Sequence, residues 1–182
     1  MASLAEVGQL VVNGVMAGTI LAVPAIGLTA IYAVLRFPNF ALASHATIGA
    51  FAGYVANAKL GLPLLPSVAM AFVVAGGVGV VSDETVLKRF RPAGYVTTAI
   101  ASIALTIALE NVLRFIFGNE LRGYDLPIQR DFRIGAIRVG PQQLDNLAIA
   151  GVAMAALFGF LAFTRTGKAM RAVADNPMLA AI

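Results

Sequence analysis

The chain has 182 residues, of which 59% are hydrophobic and only 12% charged, a balance that argues against a soluble globular domain and indicates a membrane protein. The net charge is +4, from 13 basic and 9 acidic residues. The basic residues are spread over several short loops, which excludes an aromatic and basic nucleic-acid surface and is typical of contact with anionic lipid. Cysteine is absent, which excludes disulfide and thiolate chemistry.

Five apolar stretches follow one another, and each approaches or exceeds the roughly 20 residues needed to cross the hydrocarbon core. The first lies between Glu6 and Arg36 and has no basic residue before it, so we expect a retained span and not a signal peptide. The others are residues 37–58, 60–82, 92–117 and 146–164. Pro38 and Asn39 interrupt the start of residues 37–58, so that segment either spans or is re-entrant. The predicted fold class is therefore all-α: one polytopic transmembrane domain, residues 1–182, with about five spans.

Basic residues indicate which side of the membrane each loop occupies. Two segments are rich in them: Lys88, Arg89 and Arg91 after the third stretch, and Arg165, Lys168 and Arg171 after the fifth. The positive-inside rule places both segments in the cytoplasm, and the N-terminus and residues 118–143 outside. The outer loop carries several arginines of its own, so the margin is small.

Within that outer loop, residues 132–139 alternate apolar and basic side chains around Gly135 and Ala136. The pattern predicts a β-hairpin with a two-residue turn. It is either a docking patch for an external partner or a simple connection, and the second interpretation is favoured.

Residues that could carry catalysis or bind a metal are few. His45 is the single histidine, so no metal cluster can form, and a helix-packing or interfacial role is expected for it. Gly167 and Lys168 resemble part of a phosphate-binding loop, but Ala162 and Ala169 replace its leading glycine and its magnesium-binding hydroxyl. We therefore expect no enzymatic activity, metal or cofactor in this chain.

Small and polar residues within the spans suggest how the helices pack. Pairs of glycines four residues apart predict close helix contacts, without specifying a dimer face. These pairs are Gly14 with Gly18 and Gly49 with Gly53. Pro24 predicts either a kink or a free carbonyl that lines a cavity. Glu110, beside Asn111 and one turn before Arg114, is either part of a polar pathway or half of a self-neutralising pair.

Residues 164–182 form a basic segment that ends in a helix-start signal, Asn176 followed by Pro177. The sequence stops one turn later, at Ile182, and so short a helix is not stable alone. We expect either a longer protein or docking of this end on another molecule.

Three segments, read together and in order, resemble the integral-membrane permeases of branched-chain amino acid ABC transporters, most closely the H-type subunit. They are residues 13–32, Pro-Asn-Phe-Ala at 38–41 and Thr-Gly-Lys-Ala-Met-Arg-Ala-Val-Ala at 166–174. Residues 84–92 are similar to that family's Glu-Arg-x-x-x-Arg-Pro loop, and residues 109–111 to its Leu-Gln-Asn. The resemblance extends from about residue 10 to the C-terminus.

The resemblance implies a permease subunit of an importer for branched-chain or related amino acids in the bacterial inner membrane. It also implies a second permease subunit, cytosolic ABC ATPase subunits that bind the ATP, and an extracytoplasmic binding protein. The implied translocation-path residues are Asn13, Pro24, Asn39, Phe40, Glu110 and Asn111. Residues 164–182 would be the coupling loop, with Thr166, Gly167, Lys168, Arg171, Ala172, Asp175 and Pro177 contacting the ATPase.

The chain departs from the family pattern at two places. Leu42, Ala43 and Ser44 stand where the family usually has His-Gly-Glu or His-Gly-Asp, which removes most of the polar character, and Glu110 replaces a glutamine. Both changes put the usual substrate preference in question. Family members also continue for several further spans, so the alternative function is a non-transporting membrane interaction protein or a truncated remnant.

Overall fold

The structure, a computed structural model, describes residues 4–126, 131–135 and 137–175. Seven α-helices are present in these ranges, three of them continued by π-helical or 3₁₀ turns. They are α1 (Leu4–Leu35), α2 (Leu42–Tyr54) with a π-helical turn Val55–Lys59, α3 (Leu64–Ser82) with a π-helical turn Asp83–Leu87, α4 (Lys88–Phe90) with a 3₁₀ turn Arg91–Ala93, α5 (Tyr95–Phe117), α6 (Pro141–Phe163) and α7 (Arg165–Asp175). The predicted all-α class is confirmed.

Four of the described helical segments are long and apolar enough to cross a membrane: Glu6–Leu35, Leu64–Ala93, Tyr95–Phe117 and Pro141–Phe163. The predicted count of about five spans is therefore roughly right. The remaining stretch, residues 37–58, forms the shorter helix α2, because an Asx turn shortens its start. There the Asn39 side-chain oxygen accepts a hydrogen bond from the Ala41 N–H at 3.1 Å, and Arg36 adopts a φ of 60°.

Residues 84–92, interpreted from sequence as a loop, continue the helix of α3. Two ion pairs stabilise this extension: Lys88 Nζ contacts Glu84 at 2.9 Å, and Arg91 contacts Asp83 at 2.5 Å. The connection to α5 is a sharp turn at Gly94, whose φ of 102° favours glycine.

The chain divides into two compact units. The central unit comprises Leu35–Pro127 and the terminal unit comprises Met1–Val34 with Ile128–Ile182. In the central unit α2 packs along α3 and against α5. Its buried side chains are mostly small or polar, among them Ser44, Ser67, Thr98 and Ser102. This is the arrangement expected when apolar side chains face lipid.

The predicted role of glycine in close packing is confirmed for α2. A Cβ on Gly49 would lie 2.7 Å from the Ala71 carbonyl oxygen, and one on Gly53 would lie 3.1 Å from the Ser67 carbonyl oxygen. Gly14 and Gly18, by contrast, have open space around them among the described residues. Of these two predicted glycine pairs, the pair on α2 therefore forms a close helix contact, against α3, in the described part of the chain.

In the terminal unit, α1 runs through Pro24 without interruption. The predicted hairpin is confirmed as β1 (Phe132–Ile134) and β2 (Ile137–Val139), antiparallel, with Ile134 opposite Ile137. Gly135 has a φ of 65°, and Ala136 lies outside the described residues. The Gln9 side-chain amide donates to the Arg138 carbonyl at 2.9 Å and accepts from the Arg138 N–H at 2.7 Å.

Candidate functional site

The junction between α6 and α7 is an elbow stabilised by a side-chain cap. Thr164 has extended backbone angles (φ −84°, ψ 153°) and separates the two helices. Its hydroxyl accepts a hydrogen bond from the Gly167 N–H at 2.9 Å and donates to the Phe160 carbonyl at 2.6 Å. One side chain therefore terminates α6 and caps the start of α7.

Gly167 brings the first turn of α7 into direct contact with the backbone of α6. Gly167 is buried, and a Cβ built on it would collide with the Phe160 carbonyl oxygen and lie 2.6 Å from the Leu161 Cα. Arg171 adds a longer contact, from its guanidinium to the Ala162 carbonyl at 3.4 Å. We name Thr164, Gly167 and Arg171 the elbow residues; they fix the direction in which α7 leaves α6.

The predicted coupling residues divide into two groups at this elbow. Gly167 is buried, whereas the other predicted coupling residues of α7 are exposed: Thr166, Lys168, Arg171, Ala172 and Asp175. Pro177, predicted with them, lies outside the described residues. Thr164 lies in the predicted coupling loop, residues 164–182, but was not among the residues predicted to contact the ATPase, although a threonine just before a helix start is itself a capping signal.

The predicted path residues lie in both units. Asn39 is buried, and the N–H of the exposed Phe40 donates to Ser102 Oγ of α5 at 3.1 Å. Glu110 and the exposed Asn111 lie further along α5, and no salt bridge joins Glu110 to Arg114 in the described part of the chain. Asn13 and Pro24 lie on exposed positions of α1 in the terminal unit. Asn39 and Phe40 are thus placed beside α5, and the path assignment itself stays a prediction.

A second cluster, which sequence reasoning missed, ties the loop after α5 to the end of α2. The Tyr124 hydroxyl donates to the Ala50 carbonyl at 3.1 Å and fits over Gly53, while the Asp125 N–H donates to Asn57 Oδ1 at 2.7 Å. We name Asn57, Tyr124 and Asp125 the loop clasp. No pattern in the sequence pairs residues this far apart.

Burial raises the pKa of the Tyr124 phenol above its ordinary value. The neutral hydroxyl, which is the form that donates to Ala50, is therefore favoured in the folded chain. Its contribution to stability is present at neutral pH and is lost only as the pH rises through the raised pKa.

Comparison with known proteins supplies a family for this arrangement. The family model described as branched-chain amino acid transport system / permease component matches residues 10–182. The high-affinity branched-chain amino acid transport system permease protein BraD of Pseudomonas aeruginosa is 23% identical over 181 residues, covering 92% of this chain and 59% of BraD. The chain therefore spans about three-fifths of the length of this curated relative. No solved structure matches it.

Proposed function

Because this chain belongs to the permease component family of branched-chain amino acid transport systems, we propose that it is a membrane-spanning subunit of an ABC importer for branched-chain or related amino acids. The family is one of transport proteins and not of enzymes. Membership and the four apolar helices make the chain a multi-pass protein of the bacterial inner membrane.

The α6–α7 elbow is the observation that best supports the proposal. An importer driven by a separate ATPase needs a protruding element that moves with a span as one body. Helix α7 has this form, because its first turn contacts the α6 backbone at Gly167 and its start is capped by Thr164. A displacement of α7 would therefore be passed to α6 without being absorbed by a flexible linker.

The exposed face of α7 suits a negatively charged partner. Lys168 and Arg171 are exposed, and Arg165 adds a third positive charge at the start of the helix. We propose that this face docks in an acidic groove of the cytosolic ATPase subunit, which binds the ATP, so that the chain itself needs no cofactor. This places α7 and the Asp83–Ala93 extension of α3 in the cytoplasm, as the positive-inside rule predicts.

The remaining partners follow from the same scheme. A second permease subunit would complete the path, an extracytoplasmic binding protein would deliver the amino acid to the opposite side, and lipid would cover the exposed apolar faces. The predicted path residues Asn39, Phe40 and Glu110 would lie along the route.

The test is reconstitution of the full-length protein with its ATPase, second permease and binding protein in proteoliposomes. We expect ATP-dependent uptake of leucine, and loss of ATPase co-purification after Arg171→Glu or deletion of residues 166–174. Lys59→Glu is the matched control, since Lys59 is exposed at the far end of α2 and the same charge is reversed. Unchanged co-purification in both α7 variants would refute the coupling assignment, and a correctly inserted complex without uptake would favour a non-transporting interaction protein.

A further inference from the structure

Helix α2 begins inside the central unit, level with the middle of its two neighbours. Ser44, in its first turn, donates from Oγ to the Thr106 carbonyl at 3.4 Å, and Thr106 lies near the middle of α5. On the other side, a Cβ on Gly79 would lie 3.9 Å from His45 Nδ1, and Gly79 lies near the middle of the continuous helix Leu64–Ala93. A non-helical segment, residues 36–41, leads into this start.

The N-terminal end of α2 has unused hydrogen-bond donors. The Leu42 N–H donates to the Asn39 carbonyl at 3.4 Å, and the His45 N–H donates to the Ala41 carbonyl at 3.0 Å. The N–H groups of Ala43 and Ser44, which lie between them, have no backbone acceptor among the described residues. Ala41 at the cap position contributes no side-chain hydrogen bond. Such an end carries a partial positive charge and attracts anions.

His45 supplies an independent sign of a ligand. His45 is only 6% exposed. Its Nε2 is buried and has no hydrogen-bond partner within the described ranges. Side chains on a helix lean toward its N-terminus, so we expect the imidazole of His45, the fourth residue of α2, to be directed toward the first turn. Buried polar atoms are nearly always paired, and an unpaired one lowers stability unless something binds it.

No carboxylate of the described residues is hydrogen-bonded to the N–H groups of Ala43 and Ser44 or to His45 Nε2. On the helix that carries Gly79, the next acidic residues are Asp83 and Glu84, and each is held in an ion pair, with Arg91 and Lys88 respectively. On α5, Glu110 follows Thr106 by one turn, and within the described ranges it makes no hydrogen bond or salt bridge to these donors.

We propose that the N–H groups of Ala43 and Ser44, together with His45 Nε2–H, bind the α-carboxylate of the transported amino acid. The inference rests on the proposed transport function and assigns the site within it. Interrupted helices whose N-termini lie at mid-membrane are a recurring way to hold an anionic group without a full opposite charge. The positive helix end selects the carboxylate over the ammonium group of the same solute.

Two amide substitutions distinguish the two ring nitrogens of His45. In a helix a glutamine amide reaches approximately the Nε2 position, and an asparagine amide only the Nδ1 position. We expect His45→Gln to retain most leucine uptake in proteoliposomes, while His45→Asn and His45→Phe lose about tenfold in maximal rate, the loss expected for one hydrogen bond to a charged group. The leucine concentration that gives half-maximal uptake, which is set by the external binding protein, should be unchanged in all three variants.

Thermal stability supplies the second readout. His45→Phe removes the unpaired nitrogen, so the variant should unfold at the same temperature as the wild type or higher, although it transports poorly. A purely packing role predicts normal uptake in His45→Phe and His45→Asn, and that result would overturn the inference while leaving the proposed function intact. If His45→Phe does not insert, the Gln and Asn variants decide the matter.

His45 is the single histidine in the 182-residue sequence. In a ¹⁵N-histidine-labelled subunit, combined with unlabelled partners in nanodiscs, its resonances are identified by their loss in His45→Gln. L-Leucine should shift the Nε2 resonance, whereas L-leucinol, which lacks the carboxylate, should not. Equal shifts with both compounds, or none with leucine, would refute carboxylate binding at His45. Absence of leucine uptake by the wild-type complex would instead refute the proposed transport function.

Discussion

Replacing Gly167 with alanine tests whether the α6–α7 elbow transmits movement. The added Cβ would lie 2.6 Å from the Leu161 Cα and 2.8 Å from the Leu161 carbonyl oxygen, and would collide with the Phe160 carbonyl oxygen. All three are backbone atoms of α6, which cannot rotate away as a flexible side chain would. Helix α7 must therefore move away from α6 or tilt.

Overpacking of this kind costs about 1–3 kcal/mol. The docked orientation of α7 would then be about 5- to 150-fold less favoured relative to displaced orientations. Because α7 lies at the end of the chain's last described helix pair, the spans themselves should remain folded. We expect leucine-stimulated ATP hydrolysis and uptake to decrease by about 5- to 150-fold, while membrane insertion is unchanged.

The assay combines proteoliposome uptake with hydrogen exchange of the α7 amides, which should become faster in Gly167→Ala. Gly159→Ala is the matched control, because Gly159 lies in the neighbouring helix α6 with open space around it. There, alanine should be neutral or slightly stabilising. If Gly167→Ala behaved like Gly159→Ala in exchange and in transport, the elbow would not be the rigid element described.

Three further substitutions test other parts of the fold. Thr164→Val should speed amide exchange in the first turn of α7, since losing the cap costs about 0.5–2 kcal/mol, whereas Thr164→Ser should not; equal exchange in the two would contradict the cap. Gly49→Ala should lower the thermal stability of the central unit by about 1–3 kcal/mol, and Gly77→Ala, which faces open space, should leave it unchanged. The reverse order would refute the α2–α3 seam. Asn57→Ala should expose residues 118–126 to proteolysis more than Asn57→Asp, which keeps an acceptor for the Asp125 N–H; equal cleavage would show that the clasp does not hold the loop.

The spans could be predicted from sequence because hydrophobic length is a property of consecutive residues. The exact form of α2 could not. Its start depends on a hydrogen bond between Asn39 and the Ala41 N–H, and its end on a π-helical turn that brings Asn57 to Leu62. Such local geometry leaves no periodic signal in the composition of the segment.

The candidate site was predictable only in part, for a related reason. The exposed residues of α7 lie in one continuous motif, and the helix-start signal at Thr164 was readable. Gly167 was among the predicted coupling residues, but its close contact with α6 was not predictable, and neither was the unpaired nitrogen of His45, because both depend on atoms of other helices. The neighbours of His45 in sequence suggested a helix-packing or interfacial role, since Gly79 and Thr106 are far away along the chain.

The pairing of Gln9 with Arg138 bears on the order in which the chain folds. A glutamine amide carries the same donor and acceptor as a peptide group. The Gln9 side chain therefore pairs with the N–H and carbonyl of Arg138 on β2 as the backbone of a neighbouring strand would. Two strands of three residues are too short to be stable alone. Because 129 positions separate the two partners, this contact can form only after the chain between them has been made and inserted. Protection of the Arg138 amide would therefore mark a late step of folding in the terminal unit.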